Sequence, residues 1–176
     1  MKQNKAYRRT QRVALMGLLL ALMLVLGFVE SRLPVPGLPG VKLGLSNGVL
    51  LFALYLLDIP SALLLMVLKI LLSGFLFGNP SSMMYAAAGG ILSLGGMILL
   101  KRMGSFTVVP ISMAGGLLHN VGQVGLAMII LQTPGLLVYM AILMAVGMAT
   151  GLATGLAARA VIRHFPAQKW QSTSRT

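Results

Sequence analysis

Six apolar runs that are almost free of charged residues restrict this chain more than any other feature. They cover residues 13–29, 43–57, 60–77, 83–100, 107–131 and 136–162. A bilayer core about 30 Å thick is crossed by about 20 apolar residues in a helix. The pattern therefore predicts an all-α integral membrane protein, built as a bundle of six transmembrane helices.

Composition supports the membrane prediction. Hydrophobic residues make up 57% of the 176 residues and charged residues only 9%. A soluble domain is about 45–50% apolar and about 25% charged. The chain therefore has too few charged side chains to cover a soluble surface.

Two of the six runs have an alternative interpretation. The run at residues 43–57 is short, so a tilted or re-entrant segment would also fit it. The run at residues 13–29 follows a basic segment, as in a signal peptide. It is longer than a usual signal core, and Glu30, Ser31 and Arg32 follow it instead of small residues. We therefore expect a retained helix there.

The basic residues predict the orientation of the bundle. With the N-terminus inside, eleven of the 14 Lys and Arg residues lie on the inner side. Only Arg32 and Lys42 lie outside, and Lys69 lies within the third run. This is the distribution that the positive-inside rule describes. It predicts a basic cytoplasmic segment at 1–12, a membrane domain at 13–162 and a basic cytoplasmic tail at 163–176, in a multi-pass protein of the plasma membrane.

The same distribution argues against nucleic-acid binding, which needs a continuous basic face. Glu30 and Asp58 are the only acids, and the chain has no Cys and no P-loop motif. Paired carboxylates, a thiolate nucleophile and nucleotide hydrolysis are therefore excluded. An enzyme that uses His119 as a general base would lack a nucleophile or a metal set. We expect a protein without catalytic activity, cofactor or metal.

Small residues recur at helical spacing in several runs. Gly147, Gly151 and Gly155 repeat every four residues, and an alanine stripe is offset from them by two. Because helices associate in lipid through close backbone contact, we expect the glycine stripe to pack against a neighbouring helix.

Polar residues within the runs are the candidate binding groups, because such groups usually face a cavity or a partner. The fifth run carries His119, Asn120 and Gln123, and the third carries Lys69 with Ser73 one turn later. Ser46 and Asn47 lie at the start of the second run, and Lys42 lies on the outer loop before it. For the amides and His119, the alternative role is hydrogen bonding between helices. For Lys69, the alternative is that its side chain snorkels toward the membrane surface or forms a structural pair. Glu30 and Asp58 lie at opposite ends of the bundle, so neither is an obvious partner for Lys69.

Three segments resemble the Gx transporter family, many members of which are labelled heptaprenyl diphosphate synthase component I. They are Pro39-Gly40-Val41-Lys42-Leu43-Gly44-Leu45-Ser46-Asn47, residues 69–78 with the fourth run, and Gly115-Gly116-x-x-His119-Asn120-x-Gly122-Gln123. The resemblance covers about residues 12–162. This family resembles the substrate-binding S-components of energy-coupling factor transporters, which are six-helix proteins with both ends inside.

The resemblance implies a subunit that captures a vitamin-like small molecule from outside. It also implies docking to a transmembrane coupling subunit driven by ATPases, through small residues on the first helix. Ala14, Gly17 and Ala21 match that docking face. The synthase label suggests the alternative of a non-catalytic accessory subunit in isoprenoid, quinone or membrane redox machinery, since the chain lacks the Asp-rich motifs of a prenyl diphosphate synthase.

Overall fold

The computed structural model describes residues 2–32, 42 and 44–164. Within them the chain forms six α-helices and no strand. The helices are α1 (Lys2–Arg32), α2 (Ser46–Leu56), α3 (Ile59–Phe77), α4 (Pro80–Met103), α5 (Val108–Leu131) and α6 (Leu136–His164). The predicted breaks at residues 34–40 and the final twelve residues of the predicted tail lie outside the described residues.

Local sequence signals explain where several helices begin and end. Asp58 precedes α3 and accepts a hydrogen bond from the Ser61 backbone N–H at 2.9 Å. Asn79 and Ser82 form a reciprocal capping box at the start of α4. Such side-chain acceptors satisfy N–H groups that have no partner within the helix. Gly104 then ends α4 in a left-handed conformation, with φ of 72°.

Five of the six helices are long and apolar enough to cross a membrane. The exception is α2, which has 11 residues and therefore a length of about 16 Å. A helix of this length crosses only about half of a bilayer core, which agrees with the short-segment alternative for the second run. The chain is a multi-pass membrane protein, and the count of six full spans stays a prediction.

Contacts at both ends of α1 fix its direction relative to α2. Near the N-terminal end of α1, the Arg12 guanidinium forms an ion pair with Asp58, just beyond the end of α2. At the other end of α1, the Glu30 carboxylate accepts a hydrogen bond from the backbone N–H of Leu45, next to the start of α2. The two helices are therefore antiparallel.

Glycines allow α4, α5 and α6 to pack closely. A Cβ added at Gly122 would lie 2.6 Å from the backbone oxygen of Ala88 on α4. A Cβ added at Gly116 would lie 2.1 Å from the backbone oxygen of Gly147 on α6. No side chain fits at such distances, so backbone contact is the basis of this part of the bundle.

The main apolar core lies where α2 meets α1, α3 and α4. It includes the fully buried side chains of Met23, Leu51, Leu65 and Met97. Large apolar side chains on the outer faces are exposed instead, including Phe75 with 81% exposure. An exposed apolar belt around a helical bundle is the surface expected for contact with lipid.

The Arg12–Asp58 pair predicts a pH dependence of stability. Partial burial raises the pKa of the Asp58 carboxyl, but hydrogen bonds from Ser61 and the Arg12 guanidinium outweigh it, so the net shift is downward. A lowered folded-state pKa adds stability above the ordinary value near 3.8, and this stability is lost as the pH falls through the folded-state value. We expect the melting temperature of the wild type to fall over that range. Asp58→Asn should flatten this dependence, whereas an unchanged pH profile would contradict it.

Candidate functional site

Six buried polar side chains from five parts of the chain form a cluster, which we call the polar cluster. Its members are Glu30 on α1, Lys42 in the following loop, Asn47 on α2, Lys69 on α3, and His119 and Gln123 on α5. Their exposed fractions lie between 0% and 7%. Polar groups buried to this extent usually have partners, and charged ones almost always do.

The loop before α2 is held inside the bundle by two side chains. Gln123 Oε1 accepts from the backbone N–H of Lys42 at 2.9 Å, and Gln123 Nε2 donates to the backbone carbonyl of Lys42 at 3.1 Å. The Glu30 carboxylate accepts from the backbone N–H of Leu45. Gln123 therefore uses both ends of its amide on the loop backbone, and its principal role in this conformation is to position Lys42.

Glycines bring His119 close to the loop and to α4. Gly44 has a φ of 85°, and a Cβ there would lie 3.0 Å from Asn47 Nδ2 and 3.1 Å from His119 Cδ2. A Cβ at Gly89 would lie 2.9 Å from His119 Nδ1. The left-handed backbone at Gly44 and its lack of a side chain therefore allow the loop to lie directly against the histidine.

Charge in the polar cluster is unevenly matched. Glu30 interacts electrostatically with both Lys42 and Lys69. The Lys42 ammonium lies 5.3 Å from the centre of the Phe77 ring. Burial lowers the pKa of Lys42, and the Glu30 carboxylate opposes that shift. One carboxylate thus faces two ammonium groups, and the other acid, Asp58, is paired at the opposite end of α1.

Several buried polar atoms in or beside the cluster have no hydrogen-bond partner. Within the cluster they are Glu30 Oε2, Asn47 Nδ2 and His119 Nδ1. Ser46 Oγ, beside Asn47, is also without a partner. An unsatisfied buried polar group is unfavourable by about 1–3 kcal/mol. A set of such atoms converging on two ammonium groups is the arrangement expected of a binding site for a polar small molecule.

Two predicted binding residues have local partners instead. Asn120 Nδ2 donates to the backbone carbonyl of Leu143 on α6 at 2.6 Å. Ser73 Oγ donates to the Ile70 carbonyl of its own helix at 3.3 Å. Asn120 thus joins α5 to α6, although its Oδ1 has no hydrogen-bond partner among the described residues.

The predicted packing and docking residues lie on different surfaces. Gly147, Gly151 and Gly155 are buried against α5, where a Cβ at Gly151 would lie 2.7 Å from Ser112 O. Ala14, Gly17 and Ala21 are exposed on α1, and a Cβ at Gly17 would meet nothing within 4 Å. The α1 stripe therefore faces outward within the bundle described here.

An apolar groove of about 450 Å³ lies between α1, α2 and α6. Its lining residues are Leu15, Leu18, Leu19, Leu22, Leu26, Leu45, Gly48, Val49, Phe52, Leu56, Thr154, Ala157, Ala158 and Val161. Thr154 is the only residue among them with a side-chain polar group. This groove can hold a hydrocarbon chain but offers little to a charged ligand.

Metal binding has no support from the described part of the chain. No three His, Asp or Glu side chains among residues 2–32, 42 and 44–164 are grouped so that they could hold a metal ion.

Glu30 is the cluster residue that the sequence reasoning missed. Its place at the end of the first apolar run indicated a residue at the outer surface, yet it is only 2% exposed. The available signal was its isolation: it is one of two acids in a chain with 14 basic residues. The sequence pattern does not show that Lys42 and Leu45 lie beside it.

Replacing Gln123 with Glu tests the role of this amide in holding the loop. The carboxylate keeps an acceptor for the Lys42 N–H but loses the donor to the Lys42 carbonyl, so we expect a loss of about 1–3 kcal/mol of stability. Amide hydrogen exchange at Lys42 and Leu45 should become faster. Gln132→Glu, at the exposed end of the same helix, should change neither measurement. Equal exchange rates in wild type and Gln123→Glu would contradict a positioning role.

Comparison with known proteins identifies the family. A family model described as heptaprenyl diphosphate synthase component I matches residues 19–161, which include all six members of the polar cluster. No curated protein and no solved structure matches the chain significantly. Since the matched region covers most of the sequence, this chain belongs to the heptaprenyl diphosphate synthase component I family.

Proposed function

We propose that this protein is the membrane-embedded, substrate-binding subunit of a small-molecule uptake transporter. The observation that carries the proposal is the polar cluster. It combines two buried ammonium groups and one carboxylate with several unpartnered polar atoms, inside an otherwise apolar bundle. Ionisable groups at such positions in membrane proteins usually mark a substrate or ion pathway.

The ligand enters from outside in this proposal. The loop that carries Lys42 lies at the end of the bundle opposite the Arg12–Asp58 pair. The density of basic residues around Arg12 supports a cytoplasmic position for that end and for both termini. The polar cluster, which includes Lys42, then lies toward the exterior side of the plasma membrane.

Transport by such a subunit needs an energy source from other chains. The sequence contains no P-loop, so we propose a transmembrane coupling subunit and ATPases as partners. The exposed stripe of Ala14, Gly17 and Ala21 supports docking on α1, because small residues allow close helix contact. We further propose that the chain itself is not catalytic.

Ligand-dependent stabilisation of the purified protein tests this function. A panel of vitamins and their precursors should contain at least one compound that raises the melting temperature, because a ligand that binds only the folded state stabilises it. Purification from membranes should also recover ATPase subunits. Absence of both results would contradict the proposal.

A second candidate function rests on the apolar groove and the family description. The groove between α1, α2 and α6 has room for a hydrocarbon chain, and the family description names a prenyl diphosphate synthase. A non-catalytic accessory subunit that holds an isoprenoid chain beside a soluble synthase would use this groove.

Partner recovery separates the two candidates. Co-purification of a soluble prenyl synthase without ATPase subunits would favour the accessory role. Substituting Ala157, an exposed residue that lines the groove, by Phe would narrow the groove, and should then reduce synthase activity while leaving small-molecule binding unchanged. The folding of this variant is measured in parallel.

A further inference from the structure

The charges around the polar cluster point to the chemical class of its ligand, provided that the cluster is the binding site proposed above. Glu30 is 2% exposed, Lys69 5% and Lys42 6%, so all three are shielded from water. Each interacts electrostatically with the other two. Arg32 lies nearby on the same helix as Glu30, but it is exposed over the Phe28 ring. With the Glu30 carboxyl ionised and both lysines protonated, the shielded charges sum to one excess positive charge.

The hydrogen-bonding capacity of these groups is only partly used. Glu30 Oε1 accepts from Leu45, while Oε2 has no partner. The Lys69 ammonium forms no ion pair within 4 Å among the described residues. Asn47 Nδ2 is a further unused donor. The free capacity therefore includes donors on Lys69 and Asn47 and one carboxylate acceptor, together with His119 Nδ1 and Ser46 Oγ.

We infer that the polar cluster binds a small molecule with a net charge of −1, whose acidic group lies against Lys69 and whose hydroxyl or amino group donates to Glu30 Oε2. Such a ligand neutralises the excess charge and supplies the partner that the carboxylate lacks. A neutral ligand would leave one ammonium uncompensated, and a dianion would leave a buried negative charge. Either uncompensated charge is unfavourable in a site shielded from water.

Matched pairs of compounds test the charge of the ligand. The full-length protein in lipid nanodiscs is titrated with nicotinate against nicotinamide, pantothenate against pantothenol, and lactate against malate, while any co-purified molecule is identified by mass spectrometry. We expect the monoanion to stabilise the protein in at least one pair, and any co-purified molecule to be a monoanion. Stabilisation by the neutral compound or the dianion instead would overturn the inference and leave the transport function intact. No stabilisation and no co-purified molecule would contradict the proposed function itself.

Variants that change the charge of the site give a second measurement. The glutamine in Glu30→Gln still accepts from the Leu45 N–H but presents an amide donor in place of Oε2. The affinity for the monoanion should therefore fall about tenfold or more, and the affinity for the dianion should rise. Lys42→Met brings the net charge to zero, and should weaken the monoanion about tenfold without affecting its neutral counterpart. Arg32→Gln removes an exposed charge nearby and is the matched control, with no expected change. Equal losses for charged and neutral ligands in Lys42→Met would overturn the inference, even if Glu30→Gln failed to fold.

Discussion

Replacing Gly151 with Leu is expected to disrupt the bundle. A Cβ at this position would lie 2.7 Å from both Met113 Cα and Ser112 O, which are backbone atoms of α5 that cannot rotate away. Overpacking typically destabilises a protein by about 1–3 kcal/mol, and a clash with backbone lies at or above the upper end of this range. We expect a loss of about 3 kcal/mol, or a melting temperature lower by about 6–12 °C.

The control for this substitution is Gly95→Leu on α4. Gly95 is exposed, and a Cβ there would meet nothing within 4 Å. The added leucine should therefore change the melting temperature by less than about 2 °C, consistent with an exposed site. Equal melting temperatures for Gly151→Leu and wild type would show that α6 does not pack against α5 through this stripe.

Replacing Lys69 with Met is expected to abolish most ligand binding while leaving the fold intact. The methionine side chain is similar in length and apolar, and Lys69 makes no ion pair within 4 Å that its removal would break. Loss of a charge-assisted hydrogen bond to the ligand corresponds to about 1.5–3 kcal/mol, or about a 10- to 150-fold weaker affinity. Binding isotherms and melting curves of the same preparation separate the two effects.

Arg102→Met is the corresponding control, since Arg102 is an exposed basic residue at the far end of α4. It should bind the ligand as the wild type does. If Lys69→Met instead lost expression or melted at a much lower temperature, Lys69 would be a structural group whose charge balances Glu30. The interaction between Glu30 and Lys69 would then explain the burial of Lys69 without a ligand.

The membrane character of the fold follows from the sequence alone. Apolar length and the scarcity of charge predict long membrane-crossing helices, and five of the described helices satisfy that requirement. The bounds of α3 to α6 follow the predicted runs closely because capping residues such as Asp58 and Asn79 are local signals. The α1 helix is longer than its run, since it also includes residues 2–12 of the predicted cytoplasmic segment. The α2 helix differs, with 11 residues where a span was predicted, because hydrophobicity does not show that the left-handed backbone at Gly44 precedes the helix.

The candidate site could be predicted from the sequence to a smaller extent than the helices could. Periodicity placed His119 and Gln123 on one face of α5 and Lys69 at a similar depth on α3. It could not show that Gln123 binds the Lys42 backbone or that Asn120 binds the Leu143 carbonyl, because both contacts join residues distant in sequence.

The sequence by itself determined that the chain lies in a membrane and which residues are too polar for lipid, since both depend on residue type and local spacing. The tertiary structure alone decided that Glu30 faces Lys42 and Lys69. The positions of Lys42 and Leu45 set that arrangement, and they depend on the left-handed backbone at Gly44 and on the amide of Gln123. The balance of charge in the site is therefore a property of long-range contacts.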